Sequence, residues 1–162
     1  MTISKFHPRR ADREITDPAE HARILKAGKY AIIAMADANE PYIVTLNYGY
    51  DAPNARLYFH CAIEGLKLDI LTRNENVCAT VIEDHGYRVG ECEHAFSSLV
   101  IRGKMRLVAD LDDKKHGLDV LLRHLEPDPD PIRARNIKDD ASYDKVGILR
   151  LDIEMMSGKQ YL

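Results

Sequence analysis

Tyr30-Ala31-Ile32-Ile33-Ala34-Met35 and Tyr42-Ile43-Val44-Thr45-Leu46-Asn47-Tyr48 are two apolar runs joined by the polar segment Asp37-Ala38-Asn39-Glu40-Pro41. Runs rich in β-branched and aromatic residues, separated by turn-forming residues, predict a hairpin with a polar turn of several residues. A second turn, Asp51-Ala52-Pro53-Asn54, leads into a third strand from Arg56 to His60. Three strands without intervening helices argue for an antiparallel meander and against a βαβ unit.

Upstream of this meander, Asp17 is placed to cap a helix, with Pro18 at its first position and Glu20 three residues on completing a capping box. That helix runs through Ile24 and Leu25 and closes at Gly28. Downstream, Gly65 to Leu71 is read as a helix, because Thr72-Arg73-Asn74-Glu75-Asn76 makes a natural stop before the β-rich run Val77 to Ile82. Asp84 to His94 is polar with two glycines and predicts a long loop. Phe96 to Val108 is the longest strand candidate, and Gly103 within it predicts a bulge. Leu111 to Leu125 carries leucines at helical spacing with Asp112 and Asp113 at its start, where they suit the helix dipole. Glu126 to Pro131 breaks this helix, and Val146 to Ile153 closes the chain as a strand. The expected fold is mainly β: about six antiparallel strands forming a small barrel with short flanking helices, in one domain spanning residues 1–162.

Composition narrows the function. Lysine and arginine number 23 against 26 aspartate and glutamate, a net charge of −3, which excludes a chain-wide cationic surface for nucleic acid. No apolar run approaches the ~18 residues of a membrane span. The start, Met1-Thr2-Ile3-Ser4-Lys5-Phe6-His7-Pro8, lacks the pattern of a secretory leader. Three cysteines, Cys61, Cys78 and Cys92, form no CxxC pair, so the expectation is a reduced, cytoplasmic protein without a disulfide framework.

Most candidate chemistries fail on spacing. His85, Cys92 and His94 fall in one predicted loop but match no zinc pattern, so no metal site is expected. His116 and His124 lie among charged residues of the Leu-rich helix and are expected to face water. There is no Gly-x-Ser-x-Gly elbow, and Ser97-Ser98 lies mid-strand. No Gly-rich phosphate loop is present. One stretch is more informative. Leu57-Tyr58-Phe59-His60-Cys61-Ala62-Ile63-Glu64-Gly65-Leu66-Lys67 ends a strand and opens a helix bearing a lysine. Free N–H groups, the positive helix end and Lys67 together make an anion site suited to a phosphate monoester. The competing reading is a solvated lysine on an amphipathic helix. Val44-Thr45-Leu46-Asn47-Tyr48 can offer backbone groups and one amide to a planar heterocycle.

Arg9-Arg10-Ala11-Asp12-Arg13-Glu14-Ile15, Pro41-Tyr42-Ile43-Val44-Thr45-Leu46-Asn47-Tyr48-Gly49-Tyr50 and Leu57-Tyr58-Phe59-His60-Cys61-Ala62 with Gly65 and Lys67 resemble three motifs of one group. These are the nitroimidazole-resistance proteins of the pyridoxamine 5'-phosphate oxidase-like flavin family, and the motifs occur in the family's order. The likeness runs from about Arg9 to Lys159. It implies a split β-barrel, a homodimer and FMN held in clefts at the dimer interface. By the same resemblance Lys67 would bind the FMN phosphate, and Thr45, Leu46, Asn47, His60, Cys61 and Ala62 would line the flavin. Phe96-Ser97-Ser98-Leu99-Val100 is similar to the family's aromatic-x-Ser-Val-Ile strand, which puts Ser98 near the cofactor. The family commonly has Pro at position 45, Ser at 61 and a basic residue at 66 and 97. The implied activity is FMN-dependent reduction of a small-molecule electron acceptor such as a nitroaromatic, with NADH or NADPH as candidate donor and His60 as the candidate catalytic residue. The alternatives are a non-catalytic flavin- or haem-binding module, and a deazaflavin-dependent or pyridoxamine-phosphate-oxidase-like oxidoreductase. No nucleic-acid or membrane partner is implied.

Overall fold

The hairpin forms between β2 (Tyr30–Asp37) and β3 (Glu40–Asp51), with Tyr30 opposite Asn47 and Asp37 opposite Glu40. Its connection is tighter than the sequence suggests. Only Ala38 and Asn39 stand between the strands, and Ala38 takes a positive φ of 52°. β4 (Arg56–Cys61) completes the antiparallel meander. The computed structural model describes residues 9–162, so the stretch Met1 to Pro8 read for a leader lies outside the described residues.

The remaining strands are β1 (Glu14–Ile15), β5 (Asn76–Arg88), β6 (Glu93–Leu107) and β7 (Gly147–Tyr161). Seven strands form one antiparallel sheet in the order β1-β7-β4-β3-β2-β5-β6, and β7 also pairs with β6. That last pairing joins β6, at one end of the order, to β7, next to the other end, and closes a split barrel, with the two-residue β1 left as the edge among the described residues. β7 can serve both neighbours because it is long: Gly147–Asp152 pairs with β4, while Leu149–Tyr161 follows β6. The register slips between Arg102 and Gly103, where a Cβ on Gly103 would collide with the Asp152 carbonyl oxygen. The predicted bulge is therefore present, and glycine is there because another backbone occupies the side-chain space.

Among the described residues four α-helices flank the barrel: α1 (Pro18–Ala27), α2 (Leu66–Arg73), α3 (Leu111–Leu125) and α4 (Asp130–Asn136). Asp17 caps α1, but it accepts from the Ala19 N–H, and Glu20 pairs with Arg23 instead of closing a capping box. The interior is filled from the inner face of the sheet and from α1 and α2, with Ile24, Leu25, Ile33, Tyr48, Phe59, Leu99 and Leu149 fully buried.

Three further segments depart from the sequence reading, one of them β7, which runs past Ile153 to Tyr161 because β6 goes on pairing with it. Asp84 to His94 is not a long loop: β5 runs on to Arg88 and β6 starts at Glu93, with the register shifting at Gly86. This end of the ribbon is largely exposed, so it carries no apolar alternation to betray its strands. The segment after Glu126 does more than break α3, for Asp130–Asn136 forms α4, with Pro131 in its first turn.

Candidate functional site

α3 lies across the outer side of the meander, and the structure holds it there by name. Gly49 lets it approach: a Cβ at that position would sit 2.6 Å from the Leu121 backbone. Asp110 caps its start through the Asp113 N–H at 2.9 Å. Asp113 then accepts from the Tyr58 hydroxyl at 2.7 Å and from Arg150 at 2.5 Å. Burial and this carboxylate push the Tyr58 hydroxyl up to about 12. One turn on, His116 Nε2 lies 2.7 Å from the buried Asp51 carboxylate. Burial disfavours the Asp51 charge, but its bonds to His116 and Asn54 outweigh that and hold the carboxyl below its ordinary range. Near the far end, His124 Nε2 meets the Gly28 carbonyl at 2.6 Å, and its ring packs 5.0 Å from that of Tyr48. Burial lowers the His124 pKa. Neither histidine simply faces water: each ties α3 to the barrel, and the charged residues between them conceal this in the sequence.

Beyond Leu118 the contact opens into a groove of about 740 Å³. One wall is Thr45, Leu46 and Asn47 of β3 with His60 of β4. The other is the leucine face of α3, continued by α4 and the 3-10 turn Asp140–Lys145. Asn47 donates from Nδ2 to the Lys29 carbonyl at 2.9 Å, which fixes its amide at the groove's edge. His60 stands exposed beside Asn47's strand, two residues past the fully buried Tyr58 on the same face.

Four of the residues read from the sequence therefore meet in one groove: Thr45, Leu46, Asn47 and His60. Tyr48 does not join them. Its ring points the other way, 0% exposed in the core, and its hydroxyl donates to the Leu25 carbonyl at 2.7 Å. Strand alternation makes this unavoidable: Thr45 and Asn47 face the groove, and Tyr48 faces the interior, against which the half-buried Leu46 also packs although it borders the groove. Cys61 is likewise buried with the core, where desolvation raises its thiol pKa and only the Lys67 charge opposes the shift. Ala62 lies in the exposed loop that follows.

Lys67 and Ser98 lie outside the groove wall. Lys67 is in the first turn of α2, whose N-cap Gly65 has φ 129° and provides no side chain to cap the helix. The Leu68 and Asp69 N–H groups return to the Gly65 carbonyl, leaving those of Leu66 and Lys67 outside the helix's own bonding. Lys67 makes no ion pair among the described residues, and open space surrounds the Gly65 Cβ position. The arrangement fits an anion. Ser98 is on β6, separated from β3 in the sheet by β2 and β5, and its hydroxyl reaches only the Lys159 carbonyl at 3.5 Å. Ser97 is buried, so its lack of positive charge does not bear on the groove.

What joins Ser98 to the groove is a face. Cross-strand partners Thr45↔Ile32, Ile32↔Thr80 and Thr80↔Val100 share the outer side of the sheet. Ile43, Tyr30, Ile82 and Ser98 lie two residues from these and so share that side. No helix covers it. Ile43 is 65% exposed and Tyr30 53%, with Ile82 and Val100 also open. The groove wall at Thr45 and Asn47 is the margin of this apolar face.

The metal candidates part. His94 pairs with Asp84 at 2.6 Å and His85 approaches Ser97 at 3.3 Å, while Cys92 sits exposed in the turn. No cluster of three or more such ligands forms among the described residues. The sequence reading missed the far wall: Asn136, Lys138, Ser142 and Lys145. The signal was available, since Pro131 and Asp130 suit the first turn of a helix.

The model of the pyridoxamine 5'-phosphate oxidase family matches residues 17–160. The chain belongs to that family. Among solved structures, a candidate 5-nitroimidazole antibiotic resistance protein from Bacteroides thetaiotaomicron is 29% identical, with a TM-score of 0.76 over 90% of this chain and 85% of that one. A FAD-binding protein from Mesorhizobium loti is 25% identical, with a TM-score of 0.68 over 93% of this chain and 98% of that one. A flavocytochrome from Azotobacter vinelandii shares the fold at a TM-score of 0.83, with 18% identity, over 99% of this chain and 75% of that one. No curated protein matches the chain. In this family member, no helix of the described residues is long and apolar enough to cross a membrane.

Proposed function

We propose that this family member is an FMN-binding homodimer that reduces a small oxidised molecule in the groove. The observation that carries the reading is the groove's missing wall. Strands β3 and β4 supply one side, α3 and α4 the other, and the open side runs into the uncovered apolar face of β2, β3, β5 and β6. A second copy pairing through that face buries Ile43, Tyr30, Ile82 and Val100, and two-fold symmetry lets one patch serve both chains. It also gives Ser98 a role, since a residue remote from its own groove is free to border its partner's.

In this reading Thr45, Leu46 and Asn47 present backbone and amide groups to the flavin edge. The first N–H groups of α2 and the Lys67 ammonium hold its phosphate. Bound flavin supplies the electron transfer, while the chain binds, orients and shields. His60 faces the groove within reach of a molecule stacked there, where it can donate or accept a proton. The protein from Bacteroides thetaiotaomicron supports nitroaromatic compounds as acceptors, and the flavoprotein structures support the cofactor class.

The test is the spectrum and mass of the group that accompanies the purified protein. FMN is expected. FAD would remove the terminal phosphate from Lys67, and a Soret band would hand the groove to haem, which one similar structure from Mycobacterium smegmatis carries together with FAD. Oxidation of NADH or NADPH with a panel of acceptors then separates an enzyme from a protein that only carries flavin.

A further inference from the structure

The groove's far wall has a chemistry of its own. Its floor is apolar, built by Leu118, Leu122 and Leu125 of α3. Its rim carries Arg133, Lys138 and Lys145, and no aspartate or glutamate lines it. That is unusual in a chain with 26 acidic residues against 23 basic ones. The three cations differ in their state. Arg133 is taken up by Asp119 and Asp130. Lys138 donates to the Ala134 carbonyl at 2.6 Å but meets no carboxylate, and Lys145 has neither an ion pair nor a hydrogen-bonded partner among the described residues. The turn that presents Lys145 is well fixed. Asp139 and Ser142 close a capping box at its start, and Lys114 reaches the Tyr143 carbonyl at 3.1 Å. Two charges with no carboxylate partner thus stand over a leucine floor, opposite the wall assigned to the flavin.

We infer that the acceptor taken by this groove is a small aromatic anion, its ring on the leucine face of α3 and its carboxylate held by Lys138 and Lys145. This rests on the functional reading above and adds the substrate class. A neutral ring gains only the apolar floor. A ring with a carboxylate gains charge-assisted bonds as well, which together are worth about tenfold in affinity for exposed lysines.

The test is calorimetric titration of the purified protein, without turnover, using para-nitrobenzoate and para-nitrobenzyl alcohol. The benzoate should bind about tenfold more tightly at low salt, and the advantage should shrink as salt rises. In the K138Q/K145Q variant the advantage should vanish while alcohol binding is kept. K138R/K145R should retain it. Both lysines are exposed, so an unchanged melting temperature is expected and certifies the fold. Equal affinity for the two compounds in the wild type, or a preference that survives K138Q/K145Q, overturns the inference. Haem carries carboxylates on an apolar ring too, so haemin is titrated in parallel. A Soret shift that is lost in His60→Ala, with no binding of the benzoate, also overturns it. The anion site and the reductase fail separately. Turnover of the alcohol as fast as of the benzoate spares the reductase and removes the anion site. Charge-selective binding by a protein that holds no flavin does the reverse.

Discussion

Tyr58 and His60 lie two residues apart on one strand and face the same side of the sheet, yet their surroundings are opposites. Tyr58 is fully buried under α3, its hydroxyl bound to Asp113, which also holds Arg150. His60 stands exposed at the mouth of a groove with no hydrogen-bonded partner among the described residues. The same division runs around α3: Asp113, His116, Leu121 and His124 fasten it to the molecule, while its Leu118, Leu122 and Leu125 line open space. Where every polar group has found a protein partner, the residues hold the fold. Where polar groups are aimed at space, they remain available to a ligand.

The largest effect expected from this division is on the closed side. Asp113→Ala strands the Tyr58 hydroxyl and takes from the part-buried Arg150 one of its two carboxylates, Asp152 remaining, and should cost about 2 kcal/mol in denaturant unfolding. His60→Ala should shift stability by less than about 0.5 kcal/mol while altering turnover or the flavin spectrum. If the two variants behave alike in unfolding, the contrast between the regions is broken.

Lys67 sharpens the same point at a second site. Lys67→Ala should weaken FMN about ten- to a hundredfold, the loss of one charge-assisted bond, and leave riboflavin nearly untouched. Fluorescence titration of both flavins reads this directly. Equal weakening of the two ligands would return Lys67 to the role of a solvated helix residue.

Cys61 was assigned by resemblance to the flavin, but the structure packs it in the core. Cys61→Ser should accordingly cost about 1–2 kcal/mol of stability, since it places a hydroxyl among apolar groups. Flavin binding should be unchanged. A loss of flavin without a loss of stability would put the side chain back in the site.

The smallest effect concerns His124. Its pKa is lowered by burial, so the unfolded chain takes up its proton first as the pH falls. Its contribution is whole above its ordinary value of about 6.5 and is lost as the pH drops through the folded-state value. His124→Gln should flatten that part of the pH–stability curve, as followed by thermal melts. A variant with the wild-type slope would show that His124 is free to charge in place.

The barrel was legible because its meander and bulge rest on local signals: apolar runs between turn residues, and a glycine inside a long strand. The pairing that closes it was not legible. It depends on β7 reaching past Ile153 to Tyr161, where the buried alternation gives way to a half-buried run and pairing with β6 carries the strand. In the site, the resemblance brought out Thr45, Leu46, Asn47 and His60, and the polar segment 44–48 pointed to the same strand. Neither says which way a side chain faces, so Tyr48, from the segment, and Cys61, from the resemblance, were included although both alternate into the core. Lys138 and Lys145 escaped because they come to the groove through α4, a short helix opened by prolines that also read as a break.

The central claim is that the flavin site is completed by a second copy across the apolar face, and sedimentation with simultaneous flavin absorbance tests it most directly. The wild-type protein should sediment as a dimer with flavin travelling in the same boundary. Ile43→Asp, which places a charge at the most exposed apolar side chain named on that face, should give a folded monomer whose flavin is left behind. A folded Ile43→Asp monomer that retains its flavin, or a wild-type monomer that does so, would contradict the account.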